Sequence, residues 1–488
     1  MNEPLVLTFD IGTQSIRAAL VKKDGSFLAF TQKAYSVPFF SPSPLFAEQT
    51  PDFYFDMLCL VSKKLLNENE CYVKNIIAVS ITTLRDSVLC LDKEMQPLRN
   101  IILWTDKREA QFSKPFGIIR SFLFAAVGMY KTAKMQYINS ACNWIMHKES
   151  EIWEETDKFV YLSAYINYKL TGNLVDSTAS SIGHMPLNYK KGKWQKSKSI
   201  TRNVYDIPFS KLCNLINPGE EVGRISAKAS FFTSIPEGLP LIAAGSDKGC
   251  ETLGLGVISP DTAAVSLGTT ASVQITSRKY ISPKAFVPAF PAVIKNMYNA
   301  EVQIYSGFRL ISLFMEYFSD KNNIDYEGFN SKLELIPAGS KGLNVYPYWT
   351  ADILKPTAKG KITGITDAHT PFYLYKAIIE GIIFELKSGI IRLEKRSHTK
   401  IERVYLSGGG AKSEAVCQLC ADIFNRPVIK IQTEQASTLG TAMLAFTAMG
   451  EFENIKNAIN AMSHEKEIFY PTVNKAEEYK KIYKKRKN

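Results

Sequence analysis

Two short segments of this chain combine glycine and threonine, one of them with an acid, in a pattern suited to holding phosphate. Near the N-terminus an apolar run leads into Asp10, Gly12, Thr13 and Gln14, and a second apolar run follows that carries Arg17. In the second half, Val265-Ser266-Leu267 leads into Gly268, Thr269 and Thr270 before another apolar run through Ile275. Glycine lets a backbone come close to a ligand, and successive turn amides form a concavity that binds anions. Thr13, Gln14, Thr269 and Thr270 add side-chain donors, and Arg17 adds a cation. Asp10 stands where a carboxylate could hold a hydrated Mg2+ beside the phosphates. Either turn alone fits an ordinary hairpin. Two copies half a chain apart point to related halves that share one nucleotide.

A third segment, Gly408-Gly409-Gly410-Ala411-Lys412-Ser413, follows a strand pattern and precedes a helix pattern. Bare backbone and a helix N-terminus suit a flat base or a phosphate. Gly409, Gly410, Ala411 and Ser413 therefore join the expected nucleotide contacts. The segment is neither a GxxxxGK[ST] loop nor a GxGxxG fingerprint.

Phosphoryl transfer to a hydroxyl needs a base on the acceptor oxygen, Mg2+ on the phosphates and exclusion of water. Asp247, in the small-residue stretch Ala244-Gly245-Ser246-Asp247-Lys248-Gly249, is the candidate base and a substrate contact. A helix N-cap is the other role open to it. For the acceptor, Arg85 can donate to hydroxyls and Asp86 can accept from them. Trp104 offers an apolar face to a carbon skeleton. A structural ion pair and a core tryptophan are the plainer roles for these three.

These residues need elements to position them. Three opening strands are expected, with Asp24-Gly25 turning the second into the third. A helix is expected at Phe53–Leu66, strands at Ile76–Ile81 and Asp86–Leu91, and helices at Tyr137–Ile152 and Lys158–Leu170, the last capped by Gly172. The second half repeats the theme. Strands are expected at Pro240–Ala244 and Val404–Leu406, a hairpin at Thr262–Thr276, and helices at Phe308–Phe318, Pro371–Arg396 and Thr438–Met449. A further helix ends at Phe424. Alternating strands and helices argue for α/β domains with mixed sheets, divided as residues 1–244 and 245–488.

With 488 residues, 45% hydrophobic and 22% charged, the composition is that of a globular protein with two or more cores. No signal peptide and no membrane-spanning run is read, so a cytoplasmic protein is expected. Eight scattered cysteines read as reduced core residues, and Cys417-Gln418-Leu419-Cys420 lacks a second pair to complete a zinc site. The net charge of +12 gathers partly in a lysine-rich C-terminus. No nucleic-acid module accompanies it, and a solvated helix end is the expectation.

Taken in order, the segments resemble the FGGY carbohydrate kinase family. The likeness runs from Leu5 to about Met449. It rests on the Asp-x-Gly-Thr hairpin, the Trp-x-Asp-x-Arg stretch ending at Arg108, the Asp247 turn, the Gly268 hairpin, the Gly408–Ser413 loop, and Glu48-Gln49 before Pro51. The resemblance implies two ribonuclease-H-like domains, as in actin, hexokinase and the heat-shock ATPases, with mixed sheets and a central cleft for ATP and substrate. It implies Asp247 as general base and Asp10 as the Mg2+ residue. It also implies a small-molecule sugar or polyol as acceptor, no nucleic-acid or membrane partner, and a homodimer. Arg85-Asp86 and Trp104 look like the Arg-Glu pair and tryptophan of glycerol kinases, whereas Leu170–Gly172 and Val175–Ser177 look like the sugar kinases. A Met-His pair typical of xylulokinases is missing near Leu84-Arg85. Ala141 replaces a lysine, and Thr350-Ala351-Asp352 replaces a glycine-rich turn. The acceptor expected is a ketopentose such as xylulose, or a glycerol-like polyol. The alternative is a catalytically silent nucleotide-binding regulator of the same fold.

Overall fold

The computed structural model describes residues 3–113, 116–196, 199, 204–284, 287–318, 325–350, 355 and 357–487. The chain divides into two compact units. The first holds residues 1–254, 290–297 and 435–462, and the second holds 255–289, 298–434 and 463–488. The boundary expected after residue 244 falls inside a strand of the first unit.

The first unit is built on a six-stranded sheet of β1 (Leu5–Ile11), β2 (Ser15–Val21), β3 (Phe27–Ala34), β4 (Ile76–Thr83), β5 (Glu221–Arg224) and β6 (Pro240–Ser246), in the order β5-β6-β4-β1-β2-β3. β1, β2 and β3 form an antiparallel meander. β4 runs parallel to β1, and β6 parallel to β4. Every residue of β1 is buried, as expected of a central strand with parallel pairing on one side. α1 (Phe53–Glu68) lays Leu58, Val61 and Leu65 against the same core as Leu7, Phe9 and Ile81. Each such side chain contributes about 1.5–3 kcal/mol by leaving water. Gly25, at φ +83°, makes the β2–β3 turn.

The second unit repeats this plan. β7 (Thr262–Leu267), β8 (Ala271–Ser277), β9 (Tyr298–Ile304), β10 (Arg403–Ser407), β11 (Val428–Ile431) and β12 (Glu465–Phe469) neighbour one another in the order β9-β8-β7-β10-β11-β12. β7, β8 and β9 form an antiparallel meander, β10 and β11 run parallel to β7, and β12 is antiparallel. In each unit a hairpin leads the sheet, so the duplication inferred from the two Gly-Thr turns extends to whole sheets. The later part of the chain carries the helices α2 (Asp247–Gly254), α3 (Pro371–Ser397), α4 (Glu414–Phe424), α5 (Ala436–Ala448) and α6 (Val473–Lys487), of which α2 and α5 belong to the first unit. α3 alone spans 27 residues, starts on Pro371 and buries Ile379, Ile382, Ile383 and Leu386 in the second core. Cys417 and Cys420 of α4 are buried in that core. α6 is not simply a solvated end. Tyr479 Oη donates to Glu380 at 2.7 Å, and Arg486 lies 3.9 Å from the Tyr346 ring centroid.

Two helical expectations fail locally. Tyr137–Ile152 is three short helices, broken at extended Ser140 and again at Glu149. Lys158–Tyr161 is a strand paired with Val88–Leu91, and the helix starts only at Leu162. Short apolar runs carry no period that separates strand from helix. Val88 starts its strand two residues later than expected because Asp86 adopts left-handed backbone, φ +54°.

Within the first unit α2 and α5 cross at glycines. A Cβ on Gly440 would lie 2.0 Å from the Cys250 carbonyl oxygen, and one on Gly254 would lie 1.9 Å from that of Ala436. No side chain fits either place without moving the helices apart. Gly440→Ala is therefore expected to lower stability by about 1–3 kcal/mol, despite the better helix propensity of alanine. A urea-unfolding midpoint unchanged or raised would contradict this.

Candidate functional site

In the first unit the C-terminal ends of three parallel strands bring the candidate residues together. Asp10 of β1 lies opposite Thr82 of β4, and Ile11 and Ser246 both lie opposite Thr83. Ligands of open α/β sheets sit beyond such ends. β4 leads directly to Arg85 and Asp86, and β6 leads directly to Asp247.

Asp247 is the first residue of α2. The capping bond comes from its neighbour, as Ser246 Oγ accepts from the Gly249 amide at 3.3 Å. The Asp247 carboxylate accepts from the Lys248 amide at 2.8 Å and lies 3.9 Å from Arg85 Nε. Arg85 Nε also donates to Ser246 Oγ at 3.2 Å, and its guanidinium lies over the Phe290 ring. The Asp247 side chain is 36% exposed, so its carboxylate is not spent on the fold. Burial raises its pKa above the ordinary carboxylate value. Arg85 and Lys248 oppose the rise and the Asp10 charge adds to it.

Asp10 is buried. Its Oδ2 accepts from Arg17 at 2.8 Å and from Ser437 Oγ, on the first turn of α5, at 2.7 Å. Its Oδ1 has no hydrogen-bond partner among the described residues. One open carboxylate oxygen suits Mg2+, which keeps most of its water and takes few protein ligands. Among the described residues there is no cluster of three or more acidic, histidine or cysteine groups that would form an all-protein cage. The donor set fits a hydrated Mg2+ completed by phosphate oxygens.

Trp104 joins the expected acceptor face to the first hairpin, because its indole N–H donates to Thr13 Oγ1 at 2.9 Å. The Gly12 amide closes the turn onto Ser15 O at 3.0 Å, and Gln14 is exposed. The stretch that carries Trp104 is anchored by buried charge. Arg108 bonds Asp106 Oδ1 at 2.8 Å and Glu48 Oε1 at 2.6 Å, and its guanidinium lies over Phe46 and Trp144. Arg99 holds the same Glu48 oxygen at 2.8 Å.

In the second unit Gly268 turns β7 into β8, and its carbonyl accepts from the Phe308 amide at 2.9 Å. A Cβ on Gly268 would meet nothing closer than 3.4 Å. Packing therefore does not require glycine here. Thr269 is exposed while Thr270 is buried. Gly408, at φ +84°, is pressed against the β7 end, where a Cβ would lie 2.8 Å from Leu267 C. The three glycines then diverge. Gly409 faces open space, but Gly410 is covered by the Phe308 ring. Ala411 is buried and donates its amide to Gly408 O, and Ser413 Oγ caps α4 by accepting from Val416 N at 3.4 Å.

The pattern has counterparts over nearly the whole chain. The model for the FGGY family of carbohydrate kinases, N-terminal domain, matches residues 5–254, and the C-terminal domain of the same family matches 263–449. The chain belongs to the FGGY family of carbohydrate kinases. Xylulose kinase from Bacillus subtilis is 26% identical, covering 99% of this chain and 96% of that one. The crystal structure of gluconate kinase from Lactobacillus acidophilus superposes with a TM-score of 0.82 at 24% identity, covering 99% and 96% of the two chains. That of Plasmodium falciparum glycerol kinase with ADP does so with a TM-score of 0.79 at 17% identity, covering 99% and 97%. The protein is thus a phosphotransferase on carbohydrate, with the two-domain α/β fold shared with actin and hexokinase. No helix among the described residues is long and apolar enough to cross a membrane.

In this FGGY kinase the first unit gathers Asp10, Thr13, Arg17, Arg85, Asp86, Trp104 and Asp247, and the second gathers Gly268, Thr269, Thr270 and the Gly408–Ser413 loop. Of the altered turn at 350–352, Ala351 and Asp352 lie outside the described residues. Arg85 and Asp86 point their charges to different partners. Arg85 faces Asp247, whereas Asp86 accepts from His184 Nδ1 at 2.5 Å and from the His184 amide at 2.9 Å. His184 and Ser437 were missed from sequence. Each is separated from its partner by many residues, and neither stands in a spacing that implies a site.

His184 is carried by a loop that a buried acid organises. Asp176 accepts from Ser163 Oγ, Ser181 Oγ and the Ser177 amide at 2.8–2.9 Å. Burial pushes its pKa up to about 7 against the pull of these three bonds. The folded state therefore keeps a proton that an unfolded aspartate sheds near pH 4. The stability linked to Asp176 is complete below about pH 4 and is lost as pH rises through about 7. Asp176→Asn is expected to flatten the change in urea midpoint between pH 5 and 8 relative to wild type. An equal pH slope in both proteins would contradict the assignment.

Proposed function

We propose that this kinase transfers the γ-phosphoryl group of Mg-ATP to a hydroxyl of a small sugar or polyol, with Asp247 as general base. The observation that carries the reading is Asp247 itself. Its half-buried carboxylate has a raised pKa, is left uncommitted by the helix cap, and stands beside Arg85 at the strand ends that also hold Asp10. In this reading the acceptor packs against Trp104, and Asp247 takes the proton of the attacking hydroxyl. Arg85 keeps the Asp247 carboxylate ionised and orients it. Asp10 holds Mg2+, which when bound neutralises charge on the phosphates. In the second unit the Gly268 turn and the open backbone at Gly409 receive the nucleotide, and in the first the Gly12–Gln14 turn offers phosphate donors. The work is positioning and charge neutralisation, with no covalent intermediate.

The acceptor class follows from the relatives, which include a xylulose kinase, a gluconate kinase and a glycerol kinase. What they share is a small polyhydroxylated carbon chain.

The test is coupled ADP release from Mg-ATP with D-xylulose, L-xylulose, D-ribulose, L-ribulose, erythritol, glycerol and D-gluconate. Strong stimulation by one of them is expected. Nucleotide binding without stimulation by any would favour the silent regulator. Asp247→Asn should lower kcat about 10²–10⁴-fold, the usual contribution of a general base, with KM for ATP nearly unchanged. The base must be ionised, so wild-type kcat/KM should fall as pH drops through the raised Asp247 pKa, above the ordinary carboxylate range. The variant should lose that limb. Wild-type turnover in Asp247→Asn would remove this residue from the mechanism.

A further inference from the structure

Asp86 was expected to accept hydrogen bonds from substrate hydroxyls, but both of its carboxylate oxygens already accept from His184. The arrangement is built rather than incidental. Asp86 sits in left-handed backbone at φ +54°, and Gly183 at φ +150° lies so close that a Cβ there would come 2.2 Å from Asp86 Oδ1. The Gly183 main chain is clamped at both ends by one hydroxyl, with Tyr189 Oη donating to its carbonyl at 3.0 Å and accepting from its amide at 3.2 Å. Asp176 and its serines hold the same loop from beneath. The Tyr205 ring meets the imidazole edge-on, with centroids 5.8 Å apart.

This loop reaches the same place as Arg85. The Arg85 guanidinium lies over Phe290, and Phe290 packs edge-on against Tyr189. Tyr189 thus links the backbone just before His184 to the Phe290 ring on which Arg85 lies, and His184 itself bonds Asp86, the neighbour of Arg85 just beyond β4. The imidazole is not closed off, since its side chain is 24% exposed. Nδ1 is taken by Asp86, which fixes a proton there in both the neutral and the cationic ring. Nε2, on the far side of the ring, has no hydrogen-bond partner among the described residues. Burial opposes the imidazolium, yet the Asp86 charge outweighs it and raises the pKa, with Lys107 opposing.

We infer that His184 is the specificity-determining residue of the acceptor pocket: its Nε2 hydrogen-bonds an oxygen of the sugar or polyol, and Asp86 is the positioning residue that aims the ring. This rests on the reading that the acceptor binds beside Arg85 and Trp104. The charges around His184 favour an uncharged acceptor. Arg85 faces Asp247, His184 faces Asp86 and Arg17 faces Asp10, so each of these cations already has its counter-ion. A substrate carboxylate would add a charge that these three pairs do not call for.

The test uses the intact kinase and the acceptor with the highest kcat/KM in the ADP-release panel. His184→Ala is expected to raise acceptor KM about tenfold or more, the loss of one hydrogen bond to a polar or charged group. KM for ATP should stay within about twofold. His184→Gln, which restores a donor and an acceptor, should recover part of the loss. Asp86→Asn, which tolerates the left-handed backbone, should give an intermediate acceptor KM. The imidazole 15N resonances separate binding from a merely structural role. The Nε2 signal absent from His184→Gln should shift when acceptor is added to wild type, at a concentration that leaves the other four histidines unmoved. D-Gluconate should give a lower kcat/KM than the best neutral compound. An acceptor KM within twofold of wild type in His184→Ala, or a silent Nε2 resonance, overturns the inference while leaving the proposed kinase standing. If Arg85→Ala and Trp104→Phe also leave acceptor KM unchanged, the pocket itself is misplaced and the wider reading falls with it.

Discussion

The closeness of α2 to α5 is the constraint from which the first unit follows. α2 begins at Asp247 and α5 carries Ser437 to Asp10, so the separation of the two helices sets the separation of the two acids. Backbone-to-backbone contact at Gly254 and Gly440 leaves that separation no slack. A side-chain interface could relax by changing rotamers, whereas a carbonyl against a Cα position cannot. The Asp10 charge, held at this separation, adds to the rise in the Asp247 pKa that burial causes. The pKa of Asp247 is therefore partly a property of the helix crossing that sets its distance from Asp10.

Around these acids the charges are arranged in pairs of unequal commitment. Glu48, Arg99, Arg108 and Asp106 are nearly closed off from water and bonded several times over. Such clusters are costly to break and contribute little net stability when whole, so their value here is geometric, fixing the stretch that presents Trp104. Asp247 and Arg85 are the reverse, with a long 3.9 Å separation and partial exposure. The Asp247 carboxylate, partly exposed, is left able to meet a third party. The distinction between a charge that is used up and one that is held ready separates scaffold from site better than burial alone.

The same distinction explains what could be read from the chain. The turns at Gly12, Gly25 and Gly268 were legible because a tight turn needs particular residues at consecutive positions, and the meander that each Gly-Thr turn belongs to followed. The long helix beginning at Pro371 was legible from its period and its proline start. The segments that failed, Tyr137–Ile152 and Lys158–Tyr161, owe their form to neighbours. Ser140 and Glu149 break a pattern that is amphipathic on paper, and Lys158–Tyr161 becomes a strand only because Val88–Leu91 is there to pair with it. The partners of the acids were illegible for the same reason. Nothing in the spacing of Asp86 and His184, or of Asp10 and Ser437, records that the fold joins them.

This bears on why family and acceptor are not equally readable. The residues that carry the family likeness do work that tolerates one solution. Gly12 and Gly268 give room at a turn, Arg108 and Glu48 close a buried charge cluster, and Asp247 sits where β6 meets α2. Arg108 and Glu48 are fixed by the cost of an unpaired buried charge, so substitution there is punished whatever the substrate. Reading an acceptor oxygen has many solutions, because a donor can be brought to one point in space from any loop that reaches it. Here a glycine against a carboxylate, a tyrosine clamp and a buried aspartate cooperate to bring an imidazole from residue 184 to the end of β4. A pocket assembled in this way is specified by contacts distant in sequence, and a change of one loop can alter its chemistry while every family-defining residue stays in place.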